Sequence, residues 1–452
     1  MKKMIKIENM RKMTKHMIFG IVLCFLSAPI YGQEVLLLQD AINTALEKNH
    51  NIKIAKSNLE IQENNATRGN ANMLPNVSLS SSYNYSNTDT ELEILTSLDD
   101  PAQKVNVDGA ETETINSAIN VDYTIFNGFL NQNTFKKYQL NASLSDVQAR
   151  QNIETTIMQV INAYYDLANK ENSYLAAVQS HKISEERYER AKNKFEFGGS
   201  SSIDMLNAEV DLNTDVVNMR NANVARNNAR RNLSRLLSIA PETKFQVDLQ
   251  CRLDNQLVLN TIIENATQKN ASLLSADYQY KVAQKDEQIS KAGMYPQIKL
   301  NSSYSFNRQE NGAGQLVFNQ NTGYRAGVSL QYNLFDGKKN HTRIQNAKIS
   351  SMIAEEQLLQ TKEKMEIDVI NAYANYQNGL EIITLDQKSL KTAELNFQRS
   401  KELYELGQMT VTQFREAQLN LFNTQIRVST NLYNAKLSEM NLYQLTGELI
   451  AR

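Results

Sequence analysis

Apolar and polar residues along this chain follow two periods. In four short segments they alternate with a period of two. Val77, Leu79, Ser81, Tyr83 and Tyr85 face one way, and Asn76, Ser78, Ser80, Ser82 and Asn84 the other. Ile119, Val121, Tyr123 and Ile125 oppose Asn120, Asp122 and Thr124. Ile298, Leu300, Tyr304 and Phe306 oppose Gln297, Lys299, Asn301 and Ser305. Ala326, Val328, Leu330, Tyr332 and Leu334 oppose Arg325, Ser329, Gln331 and Asn333. This period predicts strands. Each runs for about 10 residues, the length that crosses a bilayer when tilted. An apolar, aromatic face backed by a polar one suits a lipid-facing, water-lined barrel strand. A half-buried soluble sheet alternates in the same way.

Elsewhere the spacing is three to four. From residue 131 to 197 the apolar positions include Leu140, Leu144, Val147, Ile153, Ile157, Val160, Tyr164, Leu167, Tyr174 and Val178. A partner helix is predicted over residues 340–406. Such a helix is about 100 Å long at ~1.5 Å per residue. It is far longer than globular helices run and must coil with neighbours. Shorter helices are predicted over residues 38–72 and 202–237. Two of them end to end match one long helix, which suggests a cylinder wall with polar faces both inside and out. Proline supports this reading: none lies between Pro101 and Pro241, and none follows Pro296.

The chain reads as two copies of one unit. Ala45-Leu46-Glu47-Lys48-Asn49 resembles Ala266-Thr267-Gln268-Lys269-Asn270, and Met73-Leu74-Pro75 resembles Met294-Tyr295-Pro296. Both pairs keep the same offset. Further on, Val160-Ile161-Asn162-Ala163-Tyr164 repeats identically as Val369-Ile370-Asn371-Ala372-Tyr373, at a slightly shorter offset. Phe195-Glu196-Phe197-Gly198 is answered by Tyr404-Glu405-Leu406-Gly407 at that second spacing. The offset changes only once, so a single loop of the first copy is longer than its partner. The expected division is residues 1–32 as an export signal, 33–237 as the first repeat, 238–258 as a linker and 259–452 as the second repeat.

The export signal rests on Lys2, Lys3, Lys6, Arg11, Lys12 and Lys15, followed by an apolar run from Met17 to Leu26. That run is too short for a stop-transfer helix. Cys24 lies inside it behind Leu23, a poor context for acylation. Residues 1–32 hold six basic residues and one acid, so the formal charge moves from −1 to −6 without them. An acidic exported chain is no general nucleic-acid binder. Cys251 is then the single cysteine, and no intrachain disulfide can form. His50, His181 and His341 lack metal-ligand spacing. No phosphate loop or nucleophile motif appears. The chain therefore reads as no enzyme, with no cofactor and no metal.

Ile125-Phe126-Asn127-Gly128 and Leu334-Phe335-Asp336-Gly337 close the second strand of each copy. With the order and lengths of the elements, they resemble the TolC-like outer-membrane efflux proteins over residues 34–450. That family's Asn-Pro in the first helix is Asn49-His50 and Asn270-Ala271 here. The resemblance implies an α+β membrane protein with a long α-helical coiled-coil barrel and four transmembrane strands per chain. It implies a homotrimer whose strands form one 12-stranded β-barrel in outer-membrane lipid, extending into the periplasm. It also implies a passive exit duct serving an inner-membrane pump through a periplasmic adaptor. Residues 238–258 would join an equatorial belt.

Gly198-Gly199-Ser200-Ser201 and Gly407-Gln408-Met409-Thr410 break the long helices, with glycine past the helix end. Ser201 and Thr410 are expected N-caps, with Asp204 and Gln413 at the capping-box position. In the family these turns meet the adaptor, which points to Gly198, Gly199, Gly407, Gln408 and Met409. The family's gate acids match Gln413 and Glu416, so only half of that gate is present. Asp204, Asp211 and Asp215 share one helix face at spacings of seven and four. They are candidates for an acidic constriction or, more blandly, a capped and solvated face.

Arg226, Arg230, Arg231 and Arg235 form a basic stripe suited to ion pairs with a neighbouring helix. The loop from Asp89 to Glu113 is strongly acidic, opposed by Lys104, and should lie outside the cell. A periplasmic or surface coiled-coil protein with a small soluble sheet is the alternative to a duct.

Overall fold

The computed structural model describes residues 35–94, 103–254, 256–314 and 316–450. The export segment, Cys24, and Asp99 and Asp100 of the acidic loop lie outside those residues.

In chain order the elements are β1 (Val35–Leu36), α1 (Leu38–Lys48), α2 (His50–Asn65), β2 (Asn76–Ile94), β3 (Gln103–Asn127), α3 (Leu130–Glu196) and α4 (Ser202–Leu236). There follow β4 (Gln246–Val247), α5 (Leu259–Lys269), α6 (Ala271–Ser290) and a 3₁₀ turn (Lys291–Met294). The chain ends with β5 (Gln297–Asn311), β6 (Phe318–Gln331), α7 (Lys339–Glu405) and α8 (Val411–Leu445). The helices α3 and α7 have 67 residues each, and α4 and α8 have 35 each.

The first helix is not continuous from residue 38 to 72, as its spacing suggested. It breaks at Asn49 and ends at Asn65. Asn49 is in extended backbone, and its side chain accepts hydrogen bonds from Asn51 N and Ile52 N. Asn270, at the matching position of the second copy, caps α6 by accepting from Leu273 N. An asparagine cap starts a new helix at each place by satisfying orphan N–H groups.

The fold resolves into two compact units. One comprises residues 35–47, 159–252 and 383–433, and the other 48–158, 253–382 and 434–450. Each draws on both halves of the chain.

The first unit contains the parallel pair β1 and β4 and both helix-to-helix turns. On α3 the residues Val160, Ile161, Tyr164, Leu167 and Ala168 are buried, at helical core spacing. Tyr164 Oη donates to Leu36 O at 2.9 Å and accepts from Asp248 N at 3.0 Å. Tyr433 Oη donates to Leu249 O at 3.1 Å. Tyrosine hydroxyls thus satisfy backbone groups that the short β1 and β4 strands leave open. Arg226 donates to Glu171 at 3.1 Å and lies 4.0 Å over the Tyr174 ring, so part of the basic stripe pairs with α3.

The second unit contains the sheet and a core of Ile262, Ala266, Leu273, Met365, Val369, Ala372, Tyr376 and Leu442. The spacing of 365, 369, 372 and 376 is one buried stripe on α7. Tyr373 Oη donates to Leu257 O at 3.3 Å, and Tyr376 Oη to Asp254 O.

Four antiparallel strands pair in the order β2-β3-β5-β6. They are 19, 25, 15 and 14 residues long, well beyond the expected span. The acidic stretch from Asp89 to Glu113 is mostly not a loop. It is a two-stranded ribbon in which β2 and β3 stay paired out to Ile94 and Gln103. The strand β5 accompanies β3 only as far as Thr112. Lys104 bonds Glu91 at 2.8 Å and lies 3.6 Å from Glu93 across the ribbon. That cross-strand pairing offsets part of the acidic repulsion.

Candidate functional site

Strand register assembles the sheet faces row by row. Val77 pairs with Val121, which pairs with Ser302, which pairs with Ala326. The next row is Leu79, Ile119, Tyr304 and Tyr324. Side chains directly opposite in a ladder share a face. One face is therefore apolar and aromatic across all four strands. Its residues are uncovered within the chain: Leu79 is 75%, Tyr324 73% and Val328 66% exposed.

The opposite face is built of rows such as Asn76, Asp122, Asn301 and Gly327, and Ser82, Asn116, Asn307 and Asn321. Amide side chains link its strands. Asn301 Nδ2 donates to Asp122 Oδ1 at 2.6 Å, and Asn120 Nδ2 to Ser80 Oγ at 3.2 Å.

The expected alternation fails at two places: β6 ends at Gln331, so Tyr332, Asn333 and Leu334 lie beyond the strand, and β3 bulges near its end. The register shifts at Ile125, so that Thr124 pairs with Lys299 but Phe126 with Ile298. The bulge hands the apolar face from Ile125 to Phe126. Phe126 then meets Phe129 and Tyr295 edge-on, with ring centroids 5.3 and 6.4 Å away. These aromatics cluster where β3 ends and β5 begins. Among the described residues no helix is long and apolar enough to cross a membrane, so the sheet carries the membrane question.

The two turns share one backbone design. Gly198 and Gly407 have φ of +73° and +74°, the left-handed region where a side chain is strained. Gly198 N donates to Phe195 O and Gly199 N to Lys194 O. Gly407 N donates to Tyr404 O and Gln408 N to Leu403 O. Both are the double closure of a helix end by a left-handed residue. Gly198, Gly199, Gly407 and Gln408 are exposed, and Met409 is half-buried.

Each next helix begins at its cap. Ser201 Oγ accepts from Ile203 N at 3.1 Å. Thr410 Oγ1 accepts from Gln413 N at 3.3 Å, while Gln413 Oε1 accepts from Thr410 N at 3.2 Å. The second pair is a reciprocal capping box.

The acids of α4 are not all on a solvated face. Asp204 is half-buried, in the first turn. Asp215 is only 3% exposed. It receives both ends of the Arg415 guanidinium, at 2.6 and 2.8 Å. Ser184 and Ser180 donate to the same carboxylate at 2.5 and 3.2 Å. Burial alone would push the Asp215 pKa up. The hydrogen bonds from Arg415 and Ser184 outweigh it and hold the carboxyl below the usual range. Asp211 accepts from Arg187 at 2.7 Å and lies 3.8 Å from Arg415.

A bidentate, buried aspartate cannot present its charge to a pore, so Asp215 is corrected from gate candidate to tie between α4, α3 and α8. Gln413 and Glu416 remain exposed. Sequence reasoning missed Arg415, Gln418, Arg187, Ser180 and Ser184. The signal was phase. Ala208, Asp211 and Asp215 fall at core spacing on α4, and Arg415 and Gln418 interleave with buried Phe414, Ala417 and Leu421 on α8. A charge in phase with the core needs a partner.

Among the described residues no three His, Cys, Asp or Glu side chains group as a metal site.

An uncovered apolar sheet face is suited to lipid, and equally to packing against a partner in water. The comparisons carry this further. The family model described as "Outer membrane efflux protein" matches residues 41–238 and again 262–448, and the chain belongs to that family.

The outer membrane protein TolC of Vibrio cholerae is 20% identical over 436 residues, covering 94% of this chain and 93% of its own. TolC of Escherichia coli K12 is 22% identical over 321 residues, covering 68% of this chain and 64% of its own. The solved Campylobacter jejuni CmeC outer membrane channel superimposes with a TM-score of 0.77 at 16% identity, covering 91% of this chain and 86% of that one. The fold is thus that of the efflux channels, and the place of this protein is the outer membrane.

Proposed function

We propose that three copies of this chain form the outer-membrane exit duct of a tripartite efflux or secretion system. The observation that carries this is the sheet. It has four strands, one uncovered apolar face, and two edges, β2 and β6, unpaired among the described residues. A sheet in lipid must close, because an open edge leaves N–H and C=O groups without partners. Three chains with four strands each close at 12. The polar face then lines water and the apolar face meets lipid.

The duplicated family match and the recurrence of caps at Asn49 and Asn270 support an internal duplication as the origin of the chain. The exposed turns at Gly198-Gly199 and Gly407-Gln408-Met409 are the surface offered to a periplasmic adaptor. An inner-membrane pump supplies the energy, since the duct is passive. Glu416 and Asp204 are the acids available to narrow the pore; Gln413 contributes no charge there, and Asp211 is paired with Arg187. Relatives include a protein named for cation efflux and one named for pyoverdine export. Cargo in this reading is therefore chosen by the pump.

The test is single-channel recording of the purified chain in a planar bilayer. Discrete conductance steps that grow in E416A support the duct and its constriction. Steps indifferent to E416A keep the duct and remove that gate residue. A chain that stays water-soluble and never inserts favours the coiled-coil fibre with a soluble sheet.

A further inference from the structure

Arg187, on α3, has a side chain with no exposed surface. Its Nη2 donates to Asp211 Oδ2 at 2.7 Å. Its Nε and Nη1 are buried and have no hydrogen-bond partner among the described residues. Nor does Asp211 serve Arg187 alone, since its other oxygen lies 3.8 Å from Arg415 Nε. Burial works against the charge of Arg187, while Asp211 supports it. An arginine does not shed its proton in a protein, so the charge stays and its open N–H groups require acceptors.

A cavity of about 30 Å³ lies beside this group. Arg187, Arg190 and Glu186 of α3 line it, with Lys401 and Tyr404 of α7 and Phe414 of α8. Phe414 stacks on Tyr404 at 4.8 Å and closes the apolar side. Arg190 lies 3.9 Å from Glu405, which also lines the cavity, so that cation is partly offset. The space suits one water molecule or one monatomic anion of similar size. A neutral occupant would accept hydrogen bonds but leave a desolvated guanidinium with a shared counter-charge. An anion does both tasks at once.

We infer that Arg187 holds a small monovalent anion of chloride size in this cavity, with Lys401 at its rim. The bound ion joins α3, α7 and α8 just beneath both turns.

Two measurements on the full chain in detergent test this. Crystals grown in sodium bromide should show an anomalous peak within hydrogen-bonding reach of Arg187 Nε or Nη1. In solution, Tm should rise with chloride along a saturating curve and stay flat in gluconate at equal ionic strength. K401Q, at an exposed position, should keep the fold and raise the half-effect chloride concentration severalfold. R187Q should abolish the chloride dependence. Where R187Q does not fold, the bromide map and the K401Q titration still decide. A map with only a water or nothing beside Arg187, a gluconate curve that matches chloride, or an unchanged midpoint in K401Q overturns the assignment.

Discussion

The two halves of this chain share their backbone devices and a tyrosine anchor, and differ in their buried ion pairs. Positive φ recurs at matching positions of the two halves: Gly128 and Gly337, Phe129 and Lys338, Gly198 and Gly407, and Ser238 and Gly447. Tyr164 and Tyr373 each donate to the carbonyl just before a short helix, at Leu36 and Leu257. The buried ion cluster has no such echo. The second-half positions that match Asp211 and Asp215 hold Asn420 and Thr424, and the first-half position that matches Arg415 holds Leu206. The second half ties α7 to α8 elsewhere, with Asp386 accepting from Arg427 at 3.0 Å and from Asn431 at 2.7 Å. The left-handed backbone persists even where its residue changes, as from Phe129 to Lys338. A buried charge needs only some matching partner, so the pair drifts.

The contrast is sharpest if the single-copy cluster is broken. R415A leaves Asp215 buried without its counter-charge and is expected to destabilise the fold by about 3–5 kcal/mol. Denaturant melts in detergent read this. The double variant R415M/D215L should recover most of the loss. If R415A alone costs nothing, the pair is no tie.

The tyrosine anchors come next. Burial raises Tyr164 and Tyr433 from 10.0 to about 12 each. A folded pKa above the unfolded value means the folded state holds its proton longer. The stabilisation is complete below pH 10 and is lost as pH rises toward 12. Each contributes on the order of 2 kcal/mol. Y164F should flatten this alkaline loss; an identical pH profile in Y164F would exclude the anchor.

The shared turns should respond alike. G198A and G407A each force a side chain into left-handed backbone, at about 1–2 kcal/mol. Equal losses in thermal melts support a common design, whereas a loss at one turn alone breaks the comparison. The caps give the smallest effects. T410A removes a reciprocal box and should cost about 1 kcal/mol. S201A removes one bond to Ile203 N and should cost less. A reversed order would show that Gln413 adds nothing to its cap.

Periodicity along the chain determined the element types, the two apolar faces of period two and 3.6, the long helices to within one residue, and the turn positions. These follow from local geometry, since pleat, helix pitch and left-handed turns act on neighbouring residues. The break at Asn49 is a local cap that the apolar spacing did not reveal. Only the tertiary structure decided the ribbon built from the acidic stretch, the bulge at Ile125 and the fate of Asp215. Each depends on what the folded chain brings alongside. Asp215 is 200 residues from Arg415, and whether a carboxylate faces water or a guanidinium is set by what packs against it.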